Sequence, residues 1–155
     1  MDKLVGFIRT VSYLIFLVVL IWAYASLASQ VTYLYDGDGT ALEMVGKNTF
    51  FFASIAIFLF ANITCVIFLQ TLRKINSTED GVGMRNRFLK LDLITWVKGF
   101  SGILNIMFIT IVFSLGFMNM NEIKMDILTV SIYIGPILLA GWFFYLVKIL
   151  SVKRI

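Results

Sequence analysis

RKINSTEDGVGMRNRFLKLDLITWVK, residues 73–98, decides the fold. It is the one long polar interval in a chain of 155 residues. It carries six of the thirteen Lys and Arg: Arg73, Lys74, Arg85, Arg87, Lys90 and Lys98. Two apolar runs precede it and two follow it, over residues 11–28, 50–69, 100–117 and 127–147. Each approaches or reaches the ~20 residues that cross a hydrocarbon core of ~30 Å. Hydrophobic residues make up 60% of the chain and charged residues 14%, outside the range of soluble domains. The spans and their short connections use up the chain, so the sequence predicts a single transmembrane domain over residues 1–155. The expected architecture is an all-α integral membrane protein. It is a four-transmembrane-helix bundle with a small extracytoplasmic β-hairpin and a cytoplasmic interfacial helix.

Residue inventory narrows the chemistry. The chain has no His and a single cysteine, Cys65. An intrachain disulfide, a multi-cysteine metal site and any histidine-dependent triad or haem ligation are therefore excluded. No cofactor and no metal site are expected, and Cys65 reads as a small buried apolar residue. The net charge of +4 reflects the basic flanks of membrane helices, not a nucleic-acid surface.

The N-terminal run follows Lys3 and Arg9, and Ala23, Ala25, Ser26 and Ala28 follow it with signal-peptidase-like spacing. Its near-full-span length predicts an uncleaved anchor. Residues 30–48 then alternate over Val31–Tyr35, turn at Asp36-Gly-Asp-Gly39 and return over Leu42–Val45, the pattern of a β-hairpin. Two strands alone are marginal in water, so the hairpin must rest on helix ends or on a partner. The motif Asp36-Gly-Asp-Gly-Thr40 also has the letters of a phosphotransferase nucleophile and of part of an EF-hand. The loop is too short for the first, and Lys47 stands where the second needs a bidentate Glu.

In this loop the chain resembles bacterial membrane proteins related to the immunity protein against sporulation-delaying toxin. Their loop pattern is Leu-Pro-x-x-Ile-Pro-x-His-x-x-x-x-Gly. Leu27, Val31 and Gly39 stand at its Leu, Ile and Gly places, whereas Ala28, Thr32 and Leu34 replace the two prolines and the histidine. The resemblance covers about a third of the chain and implies a shared helix–loop–helix architecture, without carrying a functional residue across.

Inside the spans, strongly polar residues are few. Asn62 in the second and Asn105 in the third fall at one depth, counted at ~1.5 Å per residue, which predicts a hydrogen-bonded pair. Thr64 can bond back to its own helix. From Met84 on, Arg85, Arg87 and Lys90 alternate with Phe88 and Leu91, as in an amphipathic helix at the headgroups with its basic side chains on anionic lipid. Trp96 fits the aromatic belt. Gly99 and Gly102, and then Ser131, Gly135 and Gly141, form two sets of small residues that read as helix-packing seams. The lone proline, Pro136, predicts a kink in the last span.

These features predict a non-enzymatic accessory or scaffold subunit of a membrane complex, in contact with the lipid bilayer and with other membrane proteins or its own copies. A small transporter or channel, and a sensor or immunity-type protein, are the alternatives. Intramembrane catalysis lacks a nucleophile–base pair. Eleven Lys/Arg flank the predicted inner side, and only Lys47 and Lys124 the outer. Both termini are therefore expected to be cytoplasmic, in a bacterial inner membrane. A cysteine placed at Ser77 in a Cys65→Ala chain should stay unlabelled by an impermeant thiol reagent in intact cells and react after permeabilisation. Labelling in intact cells would reverse the orientation.

Overall fold

Ser12, Phe16, Leu20, Ala23 and Leu27 recur every three or four residues, and this is the stripe that the first helix buries. The computed structural model describes residues 2–36, 40–74, 83–120 and 126–151. The elements run α1 (Asp2–Ser26), β1 (Gln30–Tyr35), β2 (Ala41–Gly46), α2 (Lys47–Lys74), α3 (Gly83–Met120) and α4 (Asp126–Ser151). All four helices are long and apolar enough to cross a membrane. Most of their surface stays open: Phe60 and Phe144 are about three-quarters exposed, as suits lipid contact. Those faces are as hydrophobic as the buried stripes, so hydrophobicity alone does not orient these helices.

The arrangement is not a symmetric bundle. α3 packs backbone to backbone against α1, α2 and α4, whereas α1 and α2 meet mainly through side chains such as Phe16 and Phe58, and α4 packs on α3. Two apolar clusters result. One joins Phe16, Leu20, Leu27, Val31, Phe50, Phe58 and Val112 at the hairpin end. The other joins Cys65, Leu69, Leu72, Trp96, Val97 and Ile149 at the end carrying Arg73 and Lys74.

One expectation about the middle stretch is corrected, and Lys90 gains a contact. Residues 84–98 do not form a separate interfacial helix but are the first turns of α3, which is unbroken over 38 residues. No Pro interrupts this stretch, and at ~1.5 Å per residue α3 is ~57 Å long, far more than the hydrocarbon needs. Lys90 does not face lipid alone: its Nζ donates to the Arg73 carbonyl at 3.0 Å, a cation on the C-terminal carbonyls of α2. The side chains of Arg85 and Arg87 lie outside the described residues.

The hairpin is antiparallel, with Val31 opposite Val45 and Thr32 opposite Met44. The Asp36 N–H donates to the Thr40 carbonyl at 2.9 Å, and residues 37–39 of the expected turn lie outside the described residues. Its support comes from the helix ends. Asn119, near the end of α3, accepts from the Thr32 N–H at 2.7 Å and donates from Nδ2 to the Thr32 carbonyl at 2.9 Å. One side chain thus pairs with β1 as a third strand would. Leu27 and Val31 are buried anchors of this junction. Lys47 donates from Nζ to the Leu27 carbonyl at 2.8 Å just past the end of α1, and also lies over the Tyr24 ring.

α4 is held by a reciprocal pair. Trp96 Nε1 donates to the Trp142 carbonyl at 2.9 Å, and Trp142 Nε1 to the Trp96 carbonyl at 3.0 Å. Trp96 is therefore buried in a helix seam and not placed in an aromatic belt. The Trp142 ring fits only because residue 99 lacks a side chain: a Cβ there would stand 2.2 Å from its Cζ2. Gly99→Ala should disrupt both indole bonds and lower stability by ~1–3 kcal/mol. Thermal unfolding in detergent, followed by near-ultraviolet circular dichroism of the tryptophans, would measure this. An unchanged midpoint would refute the seam.

Candidate functional site

Between the two apolar clusters lies a layer of four buried polar side chains, drawn from three helices. Ser12 on α1, Asn62 on α2, and Ser101 and Asn105 on α3 are each at most 7% exposed. Their bonds run in one direction. Ser101 Oγ donates to Asn62 Oδ1 at 3.0 Å. Asn62 Nδ2 donates to Asn105 Oδ1 at 2.8 Å. Asn105 Nδ2 donates to Ser12 Oγ at 2.8 Å. Ser12 Oγ ends the chain on the Arg9 carbonyl at 2.7 Å.

The direction has a physical cause. Asn62 Nδ2 also donates to the Phe58 carbonyl at 3.0 Å, and a carbonyl only accepts. That contact fixes which end of the Asn62 amide faces Asn105, and the rest of the chain follows. Among the described residues no buried side-chain nitrogen or oxygen lacks a partner. Aligned donors polarise one another, so the bonds strengthen as a set.

The structure thus brings Asn62 and Asn105 together directly. It adds Ser12 and Ser101, which the sequence reading omits because a serine in a span is ordinarily satisfied by its own helix. Thr64 behaves that way, donating to the Phe60 carbonyl at 2.8 Å. A signal was present nevertheless: Ser101 and Asn105 are four apart, on one face.

The small residues divide differently from the expectation. Gly99 receives Trp142, and a Cβ on Gly135 would stand 2.4 Å from Met107 Cγ, so both belong to one α3–α4 seam. Gly102 makes only ordinary contact with Ile8, and Gly141 has nothing within 4 Å. The two expected seams therefore meet in a single one through Gly99 and Gly135. The side chain of Ser131 lies outside the described residues. Pro136 sits inside the continuous helix α4.

A further residue was misplaced by the sequence. Arg9, expected as a flank, is helical and leaves α1 one turn from Ser12, ~4.5 Å along the axis. It is half-buried. From Asn62, α2 continues eleven more residues, ~16 Å, before Arg73.

Because α1 and α2 each lean on α3, a lateral groove of about 410 Å³ opens between them. Phe16 and Phe58 floor it, stacked at 3.8 Å between centroids. Tyr13 and Leu17 form one wall, Leu59, Ile63 and Val66 the other, and Gln70 stands at one end. Among the described residues no group of three or more metal-ligating side chains exists. Compared with known protein families, curated proteins and solved structures, the chain gives no significant match.

Asn105→Leu should cost ~1–3 kcal/mol, because it strands the Asn62 amide and the Ser12 hydroxyl. In a double-mutant cycle with alanine, Asn62 and Asn105 should couple by ~0.6–1.7 kcal/mol, the range for interhelical bonds in a bilayer. Reversible unfolding in mixed micelles measures both. A coupling of zero would refute the chain.

Proposed function

We propose that this protein is a non-enzymatic accessory or scaffold subunit of a bacterial inner-membrane complex, bound by its partner at the hairpin on the outer side, with both termini cytoplasmic. The observation that carries the reading is the state of β2. Ala41, Leu42, Glu43 and Met44 are exposed in succession. Leu42 and Met44 expose more than half of their surface. A strand exposed on both faces, beyond the ends of the apolar helices, offers a free edge and an apolar patch to another chain. The opposite edge of the hairpin is already taken at Thr32 by Asn119.

The occupant is a protein and not a lipid surface. Asp36 and Glu43 give the hairpin acidic character, which anionic headgroups repel. The Tyr33 hydroxyl donates to the Glu43 carboxylate. That bond, then desolvation and the neighbouring negative charge, hold the phenol above its ordinary value.

The transporter alternative gains no support from the polar chain, which links three helices at one level and ends on the Arg9 carbonyl. On the hairpin side Phe16, Leu20, Phe58 and Val112 belong to an apolar cluster. Leu42→Asp combined with Met44→Asp should abolish co-purification of a stoichiometric partner from native membranes in mild detergent, while insertion is unchanged. A wild-type chain that purifies alone and supports flux in liposomes would overturn the subunit reading in favour of transport.

A further inference from the structure

The groove between α1 and α2 has a cation at its rim. Arg9 Nε donates to the Tyr13 hydroxyl at 2.7 Å, and the guanidinium lies 5.6 Å from the centroid of the same ring. Tyr13 is a wall of the groove, so these contacts fix the charge beside the opening. Among the described residues the contacts of Arg9 use Nε and the ring face and include no carboxylate. Its terminal N–H groups form the fork that matches a phosphate.

Depth makes this charge unusual. Arg73 and Lys74 stand at the end of α2, whereas Arg9 branches off ~12 Å nearer the polar layer. If the helices span a bilayer, that places a guanidinium inside the hydrocarbon, which is costly without a counter-ion. The groove beside it has the volume of a single small-ligand site, within roughly 300–1,000 Å³. The wall itself is a slot of aliphatic side chains, running along α2 from Ile55 to Gln70, about 22 Å at ~1.5 Å per residue.

We propose that this groove holds one acyl chain of an anionic phospholipid whose phosphate pairs with Arg9. The acyl chain lies along Leu59 and Ile63 over the Phe16–Phe58 floor. The headgroup is drawn inward at the Gln70 end, from the leaflet that faces Arg73 and Lys74. The site supplies a counter-ion that none of the described residues is seen to supply, and it is independent of the partner proposed for the hairpin.

The test uses the purified full-length protein in phosphatidylcholine vesicles, doped with spin-labelled phosphatidylglycerol or, as control, spin-labelled phosphatidylcholine. The expected result is an immobilised lipid component that favours phosphatidylglycerol. Arg9→Gln should cut that preference about fivefold or more, and Arg9→Lys should keep most of it. Ile63→Trp, on the exposed wall of the groove, should remove the immobilised component with the charge intact. This variant also decides the matter if Arg9→Gln does not fold. Equal immobilisation of the two lipids by the wild type, or no effect of Ile63→Trp, would overturn the proposal. So would a cysteine at position 63, in a Cys65→Ala chain, that cross-links to a second copy without displacing labelled lipid. No hairpin partner is present in this assay, so the two proposals fail separately.

Discussion

The hydrogen-bond chain from Ser101 through Asn62 and Asn105 to Ser12 is the constraint on which the rest depends. Between apolar helices in lipid there is little hydrophobic reason to prefer one rotation over another, because lipid tails accept the same side chains. Directed bonds do prefer one. Each helix must turn a particular residue inward at one level, and that choice brings Phe16, Phe58 and Val112 together on one side of the layer and Cys65 and Leu69 on the other. The net gain per bond is small, but the cost of an unpaired amide in an apolar setting is larger. The layer thus acts mainly by excluding other arrangements.

α3 is the element that collects these constraints. Near its start, Lys90 holds the end of α2; in its middle, Asn105 joins α1 and α2; near its end, Asn119 holds β1. The hairpin is consequently positioned from below by a helix. Its second strand can remain exposed without loss of the fold. The polar layer is buried, while the hairpin edge and the α1–α2 groove face outward.

Much of this was legible from residues alone. The four apolar helices and the hairpin followed from run length and alternation, and the Asn62–Asn105 contact from counting rise per residue. Other features were not, for stated reasons. Arg9 read as a flank because hydropathy places a boundary at the first charge, whereas α1 is helical from Asp2 onward. Gly99 and Gly135 read as two seams because a sequence does not say that one residue's cavity is filled from the other's helix. Trp96 read as interfacial because its ring is amphipathic anywhere, and only the Trp142 carbonyl shows where its N–H goes. The groove left no trace in the sequence at all, since its walls have the composition of any lipid-facing surface.

Antiparallel helices joined at a single knob can still pivot about it. α3 and α4 are joined at two, Trp142 on Gly99 and Met107 on Gly135. These points lie eight residues apart on α3 and seven apart on α4, about 11 Å along either axis. A one-residue slide would rotate each helix by ~100° and empty both knobs at once. Two fixed points define a line, so α4 is registered to α3 in both translation and tilt. Pro136 stands next to one of those points, so the segment of α4 that contains it, from Gly135 to Trp142, is held against α3 at both ends.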